Sequence, residues 1–187
     1  MIDKITNEEL KNMDLRNMDL RNTNLSGLDL SYRNLSGIEF DNSYLKDVNF
    51  EGSSLSGASF CGTTLNDVNL EGANLSDAFF HSARLNNTNL DDIEGTFIHF
   101  ESAKIIKCYL RDINVAWITF DNTIIRYSNF SGSKLKKSRF NEAKIEYSNF
   151  ENIKLDNVSF EGASMKAVSL IGTNIYDVQK EGDDNDK

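Results

Sequence analysis

The chain has no proline, a single tryptophan and only two cysteines among its 187 residues. Two cysteines, Cys61 and Cys108, cannot lay down a disulfide framework. No apolar run approaches the roughly 20 residues that a helix needs to cross a bilayer, so no membrane association is expected. The opening stretch, Met1 to Leu10, lacks a basic segment leading into an apolar one. No secretory leader is therefore expected, and the cytoplasm is the expected location. Apolar residues make up 39% of the chain, which is sparse for a globular core of this length. A thin solenoid, whose core is one narrow column, needs fewer. No nucleotide-binding motif is present, and nothing calls for a cofactor.

Positive charge is also scarce. Against 29 acids stand 20 bases, for a net charge of −9. The excess sits in residues 1–100, with 16 acids and 7 bases; residues 101–187 hold 13 of each. An acidic surface repels nucleic-acid phosphate, so direct nucleic-acid binding is not expected.

What the chain does have is a period. Every fifth position from Leu10 to Ile175 gives 34 residues: 17 Leu, 10 Phe, 4 Ile, Val115, Met165 and one exception, Gly95. Random placement at 39% would give roughly 13 apolar residues there, so the repeat is real. Two positions before each centre, small residues dominate, as at Ser43, Ala58, Ala73 and Ala83. One position before, Asn or Asp recurs, as at Asp19, Asn49, Asn69 and Asn89. A period of five suits neither a helix nor a flat strand, but it suits a chain that turns a corner every five residues. The centre and small positions point inward, and Asn, Asp, Ser and Gly supply the turns.

Sorting the centres by 20 shows how many corners make a coil. One column runs Phe40, Phe60, Phe80, Phe100, Phe120, Phe140, Phe160, and the opposite one holds Phe50, Phe130 and Phe150. The two columns between contain no Phe. Residues 20 apart should therefore stack, with four sides to a coil and adjacent coils about 4.8 Å apart. The expected fold is an all-β, right-handed quadrilateral β-helix of about eight to nine coils, its hand taken from the crossover rule.

This pattern resembles the pentapeptide-repeat family, with its Ala-(Asn/Asp)-Leu-x-x unit, here as Ala73-Asn74-Leu75-Ser76-Asp77 and its copies over residues 8–178. The resemblance implies a rod without enzymatic activity. The topoisomerase-protecting branch of that family mimics duplex DNA and binds DNA gyrase. A similar role, giving drug or toxin protection, is the specific function the resemblance implies. The alternative is a scaffold or effector that binds another protein. Those relatives dimerise through an apolar C-terminal helix, and no such helix is expected from residues 176–187.

Residues 1–9 are expected to cap the first coil, with Ile2, Ile5 and Leu10 covering it and Thr6 and Glu9 at capping-box spacing. The repeat should occupy residues 10–178, followed by an acidic, disordered tail, 179–187. Nothing in that tail can cover the last core layer. A homodimer through this end is expected, using Leu170, Ile171, Ile175 and Tyr176. Gly95 leaves a gap in the core that Ile93 and Ile113 could fill, and its freedom at positive φ makes it a candidate hinge.

Stacking also builds outer columns. Cys61, His81, Glu101 and Asp121 form one, with residue types that bind zinc or pair as nucleophile and base. The column is convex and has no pocket, which favours a solvated edge with no metal and no catalysis. Asp41, Glu101, Asp121 and Glu161 share that edge, while Glu51, Glu71, Asp91 and Glu151 share another, as solvated acids or phosphate mimics. Bases such as Lys104, Arg126, Lys136 and Arg139 interrupt the mimicry in the second half. Phe97 should stack on Trp117, and Phe79 on His99, as a mid-rod aromatic belt suited to protein contact. A second exposed group comprises Ile106, Tyr109, Ile124, Tyr127 and Tyr147.

Overall fold

The computed structural model describes residues 6–173. Ile2, Ile5, Ile175, Tyr176 and the acidic tail lie outside the described residues. The rest is an all-β parallel solenoid in which residue n lies directly beneath residue n+20. Eleven three-residue strands form two sheets. The longer contains β1 (Tyr44–Lys46), β2 (Thr64–Asn66), β3 (Arg84–Asn86), β5 (Lys104–Ile106), β7 (Ile124–Arg126), β9 (Lys144–Glu146) and β11 (Ser164–Lys166). The shorter contains β4 (Glu94–Thr96), β6 (Asn114–Ala116), β8 (Lys134–Lys136) and β10 (Lys154–Asp156). The seven strands of the longer sheet mark six turns. Isolated parallel bridges carry the same register outward, from Asp19↔Glu39 to Asn149↔Ser169.

Each coil donates both up and down the rod. The Phe40 amide donates to the Ser59 carbonyl of the next coil (2.7 Å), and the Glu39 amide to the Met18 carbonyl of the one before (2.9 Å). This satisfies the backbone of a chain too thin to hide it.

The four sides are of two kinds. On the sides centred on Phe40 and on Leu70, and on those stacked with them, a tight turn closes each corner. The Ser43 amide donates to the Phe40 carbonyl and the Ala73 amide to the Leu70 carbonyl, both at 3.0 Å. The residue two past the centre is left-handed, as at Asn42 (φ 57°) and Gly52 (φ 59°), which is the signature of a type II turn. The other two sides begin the same way, with Ala58 donating to Leu55 at 3.0 Å, and then change. From β1 on one side and β4 on the other, short strands replace the hydrogen-bonded turns. The left-handed residue survives the change, at Phe97 (φ 55°) and Trp117 (φ 58°) among others.

Gly95 sits at the second of these changes. Its coil carries β4, while the coil beneath still turns tightly at Ser76 and Asp77. The two backbones approach so closely that a Cβ on Gly95 would lie 2.7 Å from the Ser76 amide nitrogen. A side chain there would therefore meet the backbone of Leu75 and Ser76, while Ile93 and Ile113 are fully buried in the core. Its φ of +145° favours glycine independently. Register continues above it through Gly95↔Val115, and Phe80 stacks on Phe100 at 4.5 Å across the same coil.

The core is a ladder of rings. Phe60 to Phe80 measures 4.6 Å, Phe100 to Phe120 5.3 Å and Phe140 to Phe160 4.8 Å. Phe130 and Phe150 stack in the facing column at 4.5 Å and meet Phe140 edge-on. Several buried hydroxyls at the small position donate to a carbonyl of the coil below, as Thr63 does to Phe40 (2.7 Å) and Thr123 to Phe100 (2.9 Å), and Ser138 and Ser148 donate within their own coil. Their burial is thereby compensated.

The recurrent Asn or Asp has a comparable local reason. Its side-chain oxygen accepts the amide two residues on, for example Asn74 from Ser76 (3.0 Å) and Asn89 from Asp91 (3.0 Å). At the start of the rod, Asn7–Leu10 forms a helical turn capped reciprocally by Thr6 and Glu9. Arg33 closes the first coil by donating to the Leu10 and Met13 carbonyls.

Candidate functional site

The mid-rod aromatics assemble into two adjoining clusters. Phe79 stacks on His99 with centroids 5.1 Å apart, and His81 lies 5.9 Å from His99. Between the two imidazoles sits the Glu101 carboxylate, 3.1 Å from His99 Nδ1 and 3.3 Å from His81 Nε2. Burial pushes this carboxyl up, but the nearby Thr119 hydroxyl, its own backbone amide, His99 and the charge of His81 outweigh it and hold it below its ordinary value. Phe97 stacks on Trp117 at 5.8 Å. Lys137, one coil further on, places its ammonium over the other face of Trp117 at 4.7 Å. The lysine cap was legible in the 20-residue sort, which stacks residue 137 on 117. The shared carboxylate was legible in the same way, since Glu101 follows His81 in its column.

Phe97 and Trp117 remain 47% and 44% exposed although they stack. The second aromatic group lies on the side of the longer sheet and its neighbouring corner. There Tyr127 stacks on Tyr147 at 5.3 Å, Lys166 lies over Tyr147 at 5.9 Å, and Arg111 over Tyr109 at 5.5 Å.

Several acids of the proposed edges are engaged by the fold. Asp41 accepts the Cys61 amide at 3.0 Å, Asp121 the Asn141 amide at 3.0 Å, and Asp91 the Arg111 amide at 2.7 Å. In each case the position just before the recipient's centre is not Asn or Asp but Ser59, Arg139 or Tyr109. A carboxylate from the coil below thus supplies the missing acceptor. Asp121 also pairs with Arg139 at 2.9 Å, and Asp91 with Arg111. Glu161 lies exposed on the same edge as Asp41.

Charge nevertheless divides by side. Within residues 91–173, every base except Arg111 and Arg139 lies on a strand-bearing side, and every acid except Glu94, Glu146 and Asp156 lies on a turn side. The balance of acids and bases in this half hides that separation. Opposite sides match, so the surface alternates in sign around the rod.

Among the described residues, no group of His, Cys, Asp and Glu has the arrangement to hold a metal ion. Cys61 lies 3.4 Å from the Ser59 hydroxyl. Cys108 is buried, and burial pushes its thiol up to about 12, so it is no nucleophile at neutral pH. At the C-terminal end Leu155, Met165 and Leu170 are only partly buried, and Ile171 is 73% exposed. No helix among the described residues is long and apolar enough to cross a membrane.

Comparison with known proteins agrees with the fold. The family model of the pentapeptide repeat region matches residues 63–150, and that of the eight-copy pentapeptide repeats matches residues 9–32 and 25–60. No curated protein matches the chain. Among solved structures, the chain is similar to HetL, a pentapeptide repeat protein involved in heterocyst differentiation regulation in the cyanobacterium Nostoc. The match is 19% identical with a TM-score of 0.48 over 86% of each chain. It is also similar to a trypsin-treated form of QnrB1, a plasmid-mediated fluoroquinolone resistance protein, at 17% identity and a TM-score of 0.43 over 82% of this chain and 87% of that one. Rfr23 from the cyanobacterium Cyanothece matches at 15% identity and 0.29, over 81% and 90%. With its period, its coil of 20 residues and the family models in agreement, the chain belongs to the pentapeptide-repeat family.

Proposed function

We propose that this chain is a non-enzymatic protein-binding rod whose contact surface is the aromatic belt around Phe97 and Trp117. One observation carries the reading. Phe97, Trp117, Tyr127 and Tyr147 all occupy the left-handed position, with φ between 51° and 58°, and all are exposed. An L residue there costs on the order of 1 kcal/mol, and an exposed aromatic regains little of it by burial. Asn, Asp or Gly fills that position on most turn sides. Clustered exposed aromatics are a feature of protein interfaces. The test is capture from the source lysate with the native chain and with a Phe97→Ala, Trp117→Ala double variant. The variant should unfold at the same temperature and lose the captured partner; retention of that partner would overturn the reading.

A type II topoisomerase such as DNA gyrase is the second reading, with the acidic sides acting as a DNA surrogate. It is favoured by the concentration of acids on the turn sides and by Glu51 and Glu71, which share one edge; Asp91, in the same column, is buried against Arg111. A supercoiling assay with purified gyrase, with and without drug, decides it, and no effect at large molar excess would sink it. The half-covered end at Leu155, Met165, Leu170 and Ile171 further supports a homodimer through that end. A monomer by sedimentation at high protein concentration would overturn it.

A further inference from the structure

The two basic sides are not alike, and the difference identifies a binding surface. On the longer sheet, charge is compensated locally from β7 onward, although lower down Arg84 stands in register with Lys104. Arg126 reaches Glu146 at 2.7 Å, Lys144 reaches it at 3.2 Å, and Lys166 lies over Tyr147. On the shorter sheet, Lys154 stands directly in register with Lys134, one coil apart. Like charges directly opposite on neighbouring strands destabilise a sheet. Lys136 has Asp156 at 3.6 Å, but among the described residues Lys134, Lys137 and Lys154 have no carboxylate partner. A shallow depression is lined by Asn114, Lys134, Lys136, Lys154, Leu155 and Asp156, on the same side of the rod as the Phe97–Trp117–Lys137 stack.

We propose that this side binds an extended, acidic segment of the protein partner that also carries apolar residues; the inference rests on the protein-binding reading above. The carboxylates meet Lys134, Lys137 and Lys154, and an apolar side chain packs on the exposed edges of Phe97 and Trp117. Charge complementarity selects the occupant. Anions bound there would relieve the repulsion between Lys134 and Lys154. A single-stranded nucleic acid would need open ring faces for its bases. Trp117 offers none, because Phe97 covers one face and Lys137 the other. From Phe97 to Lys154 is about three coil steps, or roughly 14 Å, which four or five extended residues span.

The test is fluorescence anisotropy with a labelled peptide of alternating Glu and Leu, about eight residues long. The comparison probes are a Lys–Leu peptide and oligothymidylate. The native chain should bind the acidic peptide alone, more weakly as salt rises. Lys134→Glu with Lys154→Glu should weaken binding by about tenfold or more, while Lys104→Glu with Lys144→Glu on the opposite side changes it little. Lys134→Glu alone should also raise the melting temperature, because it turns a repelling pair into an attracting one. That combination of tighter fold and weaker binding is one a purely structural role would not produce. Equal binding of oligothymidylate, equal loss from the two double variants, or no acidic-peptide binding would overturn the proposal. So would peptide binding that appears only after residues 181–187 are removed, or charge-dependent self-association without peptide binding, since either assigns the surface to this chain itself. Loss of a captured partner on Trp117→Ala, with no response to Lys134→Glu, would leave the protein-binding reading standing and remove only this one.

Discussion

The turn sides and the strand sides share a period, an inward-facing centre and a left-handed residue two positions on, yet their surfaces diverge. On the turn sides that residue stands within a tight corner and, Tyr32 apart, is small or polar, as at Asn42, Gly52 and Asn122. On the strand sides the corner is looser, and Phe97, Trp117, Tyr127 and Lys137 occupy the same backbone state. The acids gather on the first kind of side and the bases on the second. One repeat therefore yields two surfaces, according to whether its corner is a tight turn or opens into a strand.

The strongest challenge to this picture is to the column both kinds of side share. Phe100→Ala should cost about 3–5 kcal/mol in chemical denaturation, because the ring is fully buried between Phe80 and Phe120. Next comes the change from turn to strand. Gly95→Ala forces a Cβ against the Ser76 amide at a φ disfavoured for alanine and should cost about 2–3 kcal/mol. A variant as stable as the native chain would show that the glycine is not what permits the change. Asp121→Ala should cost about 1–2 kcal/mol by removing the acceptor of the Asn141 amide. Asn141→Ala keeps that amide and should cost less.

Acid gives a gentler test. The fold holds the Glu101 carboxyl below its ordinary value, so it favours the charged form. That contribution is complete above the ordinary carboxylate range and is lost as pH falls through the lowered value. Melting curves taken from about pH 6 down to about pH 3 should fall less steeply for Glu101→Gln than for the native chain. Smallest of all, Phe97→Asn should stabilise the rod by a few tenths of a kcal/mol, since Asn accepts the left-handed state more readily. A loss there would mean that the Phe97–Trp117 stack contributes more than the backbone strain removes.

Much of this was legible in the residues. The sort by 20 places Phe97 under Trp117 and His81 under Glu101 because stacking in a spiral is a matter of counting. The engagement of Asp41, Asp91 and Asp121 was not legible as a hydrogen bond, although its signal was present: each lies one coil below a centre preceded by something other than Asn or Asp. The two kinds of corner could not be told apart, since both place the same residue at positive φ. Gly95 was read as a missing side chain because the sequence shows only what a residue lacks. The structure shows what any side chain there would meet, which is the neighbouring main chain.

The fixed offset between n and n+20 also governs which changes of length the molecule can absorb. Removal of one whole coil, such as residues 51–70, would shorten the rod and leave every later residue on its own side. Removal of a single five-residue unit would preserve the local motif yet rotate everything beyond it by a quarter turn, setting phenylalanines over leucines and lysine rows over carboxylate rows. The chain should thus tolerate insertions and deletions in steps of a full circuit, and each such step would change how far apart its two ends stand without altering what its sides present.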